Sequence, residues 1–154
     1  MRHPPKTFLD AAAPGTALLA LDVSAKRIGL AVTNPERTLA LPVETLRRRK
    51  WADDAAALVQ IIRERNIGGL VIGMPLRADG TTGPEAQSRL TFARNLDIAL
   101  TAAGITLPYV MLDESLTTHA ARETLAGRGA AHAAEDQIAA QMLLNHFMAQ
   151  DFGK

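Results

Sequence analysis

Cysteine is absent from the 154 residues. This excludes disulfide frameworks, thiolate catalysis and Cys-ligated zinc, and it fits a reducing compartment. Aromatic residues make up only 4% of the chain, so recognition of single strands by base stacking has little to work with. Histidine is scarce, and His119 and His132 read as surface or packing residues. No apolar run approaches the roughly 18 residues that span a bilayer, and the opening MRHPPKTFLDAAAPGT lacks the apolar core of a secretory signal. The expectation is a cytoplasmic protein with no membrane partner. Residues 1–16 read as a mobile Pro/Ala tail. Residues 17–154 read as a single domain, long enough to bury a stable core without disulfides.

Charge is scarce only in sum. The net value is +1, but residues 1–50 hold nine Lys/Arg against four Asp/Glu, and the remainder holds eight against twelve. The basic excess includes the run Arg47-Arg48-Arg49-Lys50. That run suits either a solvated strand-to-helix junction or a phosphate contact.

Hydrophobic patterning supplies the elements. An apolar run at 17–21 ends at Asp22 and reads as a central strand; 28–32 reads as its hairpin partner. A third strand over 39–46 contains Pro42, which cannot donate to a ladder, so it belongs at an edge. Trp51, Ala55, Leu58, Val59 and Ile62 recur at helical spacing behind Asp53 and Asp54, whose charges suit a first helical turn. Gly68 or Gly69 is expected to end that helix. Leu70-Val71-Ile72-Gly73 has no polar residue and suits a strand buried on both faces. After a loop over 74–83, Pro84 suits the start of a helix running to about 103. A fifth strand over 105–112 leads into Asp113-Glu114, and helices follow over about 118–126 and 132–150. Short turns make the first three strands antiparallel, and helical crossovers make the later ones parallel. This is the element order of a ribonuclease H-like α/β fold, a mixed five-stranded sheet in the order 3-2-1-4-5 flanked by helices.

Three carboxylates stand out against that frame. Asp22 ends a buried central strand, where a lone charge is costly, although aspartate is also common in hairpin turns. Asp136 heads a helical stripe of Ala139, Ala140, Leu143 and Phe147 that must face the protein. Its other reading is an acid favoured by the helix dipole. Asp113 and Glu114 are adjacent on an extended chain and point to opposite faces, so only one can aim at a shared site. Carboxylates that converge repel one another by about 4 kcal/mol per pair at about 4 Å and an effective dielectric near 20. A divalent cation removes that cost, and all-oxygen ligation suits Mg²⁺ or Mn²⁺. Two such ions on a phosphodiester activate water and stabilise the leaving oxygen.

Four segments resemble the YqgF/RuvX family. Asp22-Val23-Ser24-Ala25-Lys26-Arg27-Ile28-Gly29-Leu30-Ala31-Val32 is similar to its opening motif. Val71-Ile72-Gly73-Met74-Pro75-Leu76, with Asp79-Gly80-Thr81 and Gly83-Pro84, is similar to its second. Asp113-Glu114-Ser115-Leu116-Thr117-Thr118 resembles its third, and Asp136 with Ala139-Ala140 its fourth. The resemblance implies a nuclease that matures the 5′ end of pre-16S ribosomal RNA, or a Holliday-junction resolvase. It implies a nucleic-acid partner, with a ribosome precursor or branched DNA as the source, and a monomer or homodimer. It also implies Asp22, Glu114 and Asp136 as the catalytic and metal-binding carboxylates, with Asp113 in a lesser supporting role. Lys26, Arg27, Arg77, Thr81 and Thr117 are the expected substrate contacts. The stretch from Gly73 to Pro84 precedes a helix N-terminus, which attracts phosphate.

Two positions depart from the family pattern. Ser24 stands where glycine is usual, which bears on backbone geometry, although its hydroxyl could donate to phosphate. Ser115 stands where arginine is usual, which removes a bidentate phosphate clamp. Two other readings stay open. One is a phosphate-binding half-domain of the actin type, which needs a second domain for its cleft. The other is a non-catalytic module that binds RNA or the transcription machinery.

Overall fold

The computed structural model describes residues 1–75, 83–113 and 132–149, the last with side chains from Asp136 onward. Its elements are α1 (Pro5–Ala11), β1 (Ala17–Val23), β2 (Arg27–Thr33), β3 (Ala40–Arg47), α2 (Trp51–Glu64), β4 (Ile67–Met74), α3 (Pro84–Ala102), β5 (Tyr109–Asp113) and α4 (His132–Ala149). The sheet runs β3-β2-β1-β4-β5. The β1–β2 and β2–β3 pairs are antiparallel, and β1–β4 and β4–β5 are parallel. This is the expected ribonuclease H-like order. Strand β3 lies at an edge, as Pro42 required, and its register slips opposite Leu30/Ala31. The expected helix over 118–126 lies outside the described residues.

The two faces of the sheet are covered differently. Leu19, Leu21 and Val23 of β1 alternate with Leu18 and Ala20, as strand geometry demands. The first set joins Ile28, Leu30, Leu70, Ile72, Leu58, Phe92 and Leu96 in a core under α2 and α3. The second set joins Ala31, Ala40, Val71, Val110 and Leu112 under α4 and α1, with Ala140, Leu143, Leu144, Phe147 and Phe8 from the helices. The buried Ala139, Ala140, Leu143 and Phe147 form the inward stripe of α4 that the sequence pattern called for.

Three expectations are corrected. Residues 1–16 are not a tail outside the fold. Pro5–Ala11 is helical, and Phe8 is fully buried against Phe147, with ring centroids 5.4 Å apart and edge to face. The room comes from Gly69, where a Cβ would lie 2.7 Å from Phe8 Cζ. Upstream, the N–H of His3 donates to the Tyr109 carbonyl at 2.8 Å and the N–H of Tyr109 donates to the Met1 carbonyl at 3.0 Å. The entering chain thus covers part of the exposed edge of β5.

Helix α2 does not run to Gly68 or Gly69. Asn66 takes the left-handed conformation (φ 51°) just after the helix, a role asparagine fills as glycine does. Both glycines are thereby released into β4. Strand β5 begins at Tyr109 and not at Ile105. The Ile105 N–H is spent on the Leu100 carbonyl closing α3, at 2.8 Å, and Pro108 has no N–H for the ladder.

Candidate active site at the carboxyl end of the sheet

The site is built on the β1–β2 hairpin. Two-residue hairpin loops usually need residues at positive φ, yet Ala25 and Lys26 have none. Ser24 supplies another solution. Its hydroxyl accepts the Arg27 N–H at 3.1 Å and is bonded to the Arg27 carbonyl at 3.0 Å, which also takes the Ser24 N–H at 2.8 Å. The side chain mimics a backbone carbonyl in closing the turn. Serine at this position therefore brings no left-handed strain, and its hydroxyl is employed inside the turn.

Asp22 has the same parity along β1 as Leu18 and Ala20, so it lies on the α4 face. Its cross-strand partner is Gly29, whose own partner is Thr45. On its other side, one residue beyond the Leu21–Ile72 pair, Asp22 is level with Gly73. Gly29 is where α4 touches the sheet. A Cβ there would run into the Asp136 carbonyl and lie 2.8 Å from Asp136 Cβ. Paired Cα atoms in an antiparallel ladder are roughly 5 Å apart. The start of α4 thus seats Asp136 one strand spacing from Asp22, over a position that only glycine permits.

Asp136 is held in place. Arg27 Nε donates to its Oδ2 at 2.6 Å, with side-chain exposures of 32% and 16%. Arg27 follows the parity of Gly29 and Ala31, so it rises from β2 on the α4 face. Asp113 follows Tyr109 and Met111, which belong to the core under α2 and α3. It is therefore turned to the opposite face from Asp22. Glu114, Arg77, Thr81 and Thr117 lie outside the described residues. Among the described residues no group of three acids or histidines is gathered. Asp22 and Asp136 are the two acids whose positions adjoin through Gly29, and both offer oxygen donors of the kind hard cations select.

Lys26 is exposed at the turn. It lines an open cleft of about 670 Å³ with Ala25, Arg27, Thr45, Arg47 and Arg48.

One charged pair escaped the sequence reading. Asp54 is only 2% exposed. Its carboxylate accepts the Arg49 N–H at 3.1 Å and lies 4.0 Å from Arg48 Nε. Arg48 Nη1 donates to the Ser24 carbonyl at 2.9 Å, and its guanidinium sits 5.5 Å from the Phe92 ring centroid. Arg48 thus ties the hairpin to α2 and α3. Asp54 sits in the buried helical stripe with Ala55, Leu58 and Ile62, the same sign of an inward acid that Asp136 gives on its own helix.

A family model described as "RuvX: Holliday junction resolvase" matches residues 16–150. A protein of Bradyrhizobium diazoefficiens named "Putative pre-16S rRNA nuclease" is 43% identical over 121 residues, which cover 79% of this chain and 72% of the relative. A protein of Ruegeria pomeroyi with the same name is 45% identical over 118 residues, 77% of this chain and 73% of that one. Among solved structures, Thermus thermophilus RuvC in complex with a Holliday junction substrate aligns over 87% of this chain and 94% of its own, with a TM-score of 0.55 and 15% identity. That likeness concerns the fold. Among the described residues no helix is long and apolar enough to cross a membrane.

Proposed function

This chain belongs to the RuvX family, and from that premise we propose that it is a divalent-metal-dependent nuclease acting in 5′-end maturation of pre-16S ribosomal RNA in the cytoplasm. The observation that carries the reading is Asp136 seated over Gly29, one strand from Asp22. Arg27 already balances one oxygen of Asp136, and a divalent cation held by both acids would balance the remaining negative charge. Their donor set of oxygen alone, with no cysteine in the chain, fits Mg²⁺ or Mn²⁺.

Asp22, Asp136 and Glu114 would hold the ion. When bound, it supplies charge neutralisation at the phosphodiester and a more acidic water. The protein's own part is positional. Gly29 lets α4 approach, and Arg27 fixes Oδ2 of Asp136; the other oxygen would be the one to meet a ligand. Lys26, Arg77, Thr81 and Thr117 would contact the substrate backbone, with Arg27 near enough to share that task.

A second reading, cleavage of four-way DNA junctions, is favoured by the description of the matching family model. Junction cleavage cuts two strands and suits a homodimer, whereas trimming one RNA end requires a single site.

The test compares wild type with Asp22→Asn on a pre-16S leader RNA and on a four-way junction, with Mg²⁺, Mn²⁺ or EDTA. Metal-dependent cleavage lost in the variant is the expected result, and the better substrate chooses between the two readings. Equal activity in both proteins would sink the catalytic assignment and leave a binding module. Affinity for ATP without cleavage would favour the actin-type reading.

A further inference from the structure

The hairpin end carries two successive rows of side chains on the α4 face. One row is Asp22, Gly29 and Thr45; the next, toward the turn, contains Arg27 paired directly with Arg47. The rows are roughly 6.6 Å apart, the length of two strand residues. Like charges directly opposite on a sheet are unfavourable. The two arginines solve this differently: Arg27 is neutralised by Asp136, while Arg47 is exposed on the edge strand. The backbone pairing continues one residue past β3, with the Arg48 N–H on the Lys26 carbonyl at 2.8 Å. Lys26 and Arg47 are thereby held as walls of one open cleft.

The run Arg47-Arg48-Arg49-Lys50 is divided by function. Arg48 is turned inward to Ser24, Asp54 and Phe92, while Arg47, Arg49 and Lys50 are exposed. The carboxylate that could quench the run, Asp54, is buried and taken by Arg48 and the Arg49 N–H. Glu44 has the parity of the opposite face, and Asp53 lies beyond on α2.

We propose that Lys26, Arg47 and Arg49 form a track for the sugar-phosphate backbone, leading the strand across the hairpin turn so that one phosphate is delivered to the Asp22–Asp136 row. The proposal rests on the nuclease reading and extends it. The track engages phosphates and not bases, because the cleft offers cations with no aromatic platform. Its ligand is therefore a nucleic-acid strand irrespective of sequence.

The experiment measures binding, with cleavage removed by Asp22→Asn. Fluorescein-labelled leader RNA and a scrambled RNA of equal length are titrated at a series of KCl concentrations, and log Kd is plotted against log salt. Each phosphate contact contributes about 0.7 to the slope for a single strand. The triple change Lys26→Gln, Arg47→Gln, Arg49→Gln is expected to reduce the slope by about 2 and to weaken both RNAs by the same factor. Arg94→Gln, an exposed cation on α3, is expected to leave the slope unchanged. An unaltered slope in the triple variant overturns the track while leaving the nuclease assignment standing. A loss confined to the leader RNA overturns it in favour of sequence readout. Failure of the Asp22→Asn parent to bind either RNA removes the track and the nuclease reading together.

Discussion

The two faces of one sheet do different work. Under α2 and α3 the sheet presents Leu19, Leu21, Ile28, Leu30, Leu70 and Ile72, and the helices answer with Leu58, Phe92 and Leu96. Large side chains hold those helices at a distance and bury much apolar area, about 25 cal/mol for each Å². Under α4 the large residues Leu18, Val71, Leu143, Leu144 and Phe147 are joined by small ones, Ala20, Gly29, Ala31 and Ala40 from the sheet and Ala139 and Ala140 from the helix. Small residues bury less but let backbones approach closely. That close approach sets Asp136 over Gly29, the cross-strand neighbour of Asp22. One face is packed at a distance by large side chains, and the other admits the start of a helix backbone close to the site.

Substitutions should divide along that line. The largest effect is expected from Asp22→Asn. Cleavage should fall by more than the roughly 10–100-fold typical of losing a supporting partner around a metal, while the melting temperature changes little, because asparagine keeps the size and hydrogen-bonding capacity of the side chain. A cleavage assay beside a thermal melt checks this. Next is Leu58→Ala on the opposite face. Denaturant unfolding should show a loss of about 2–5 kcal/mol, with cleavage per folded molecule unchanged; a fall in specific activity would break the division between the faces.

Gly29→Ala joins the two classes. Its methyl must displace α4, so about 1–3 kcal/mol of overpacking should accompany a loss of cleavage and weaker Mn²⁺ binding by calorimetry. A fully active Gly29→Ala would show that the approach of α4 is not what serves the site. The smallest effect is expected from Ser24→Ala. The Arg27 N–H loses its acceptor, which costs about 1 kcal/mol in urea unfolding while cleavage is retained.

Much of the fold was legible in the chain. The β1–β2 hairpin, the edge position of β3 and the inward stripe of α4 follow from period and from Pro42, because local sterics set them. Residues 1–16 give no such signal, since Pro and Ala there suggest a tail and nothing local announces that Gly69 leaves room for Phe8. At the site, Asp22 and Asp136 were each visible as an acid ending or heading an apolar stretch. The Arg27–Asp136 pair was not, because it spans 109 positions of sequence. The inward turn of Arg48 was hidden too, since a run of four cations reads as one solvated surface until Asp54 and Phe92 are seen beneath it.

Local order along the chain is enough to say which residues alternate, that Asp22 closes a buried apolar run and that Pro42 must sit at an edge. These depend on backbone geometry within a few residues. Packing between elements makes Gly29 the point of contact for α4, turns Asp113 from the face Asp22 occupies, and sets one arginine of the basic run to hold the hairpin while its neighbours stay exposed. Those outcomes depend on the distance between elements, which is fixed by the side chains that meet across it and not by the order in which they occur.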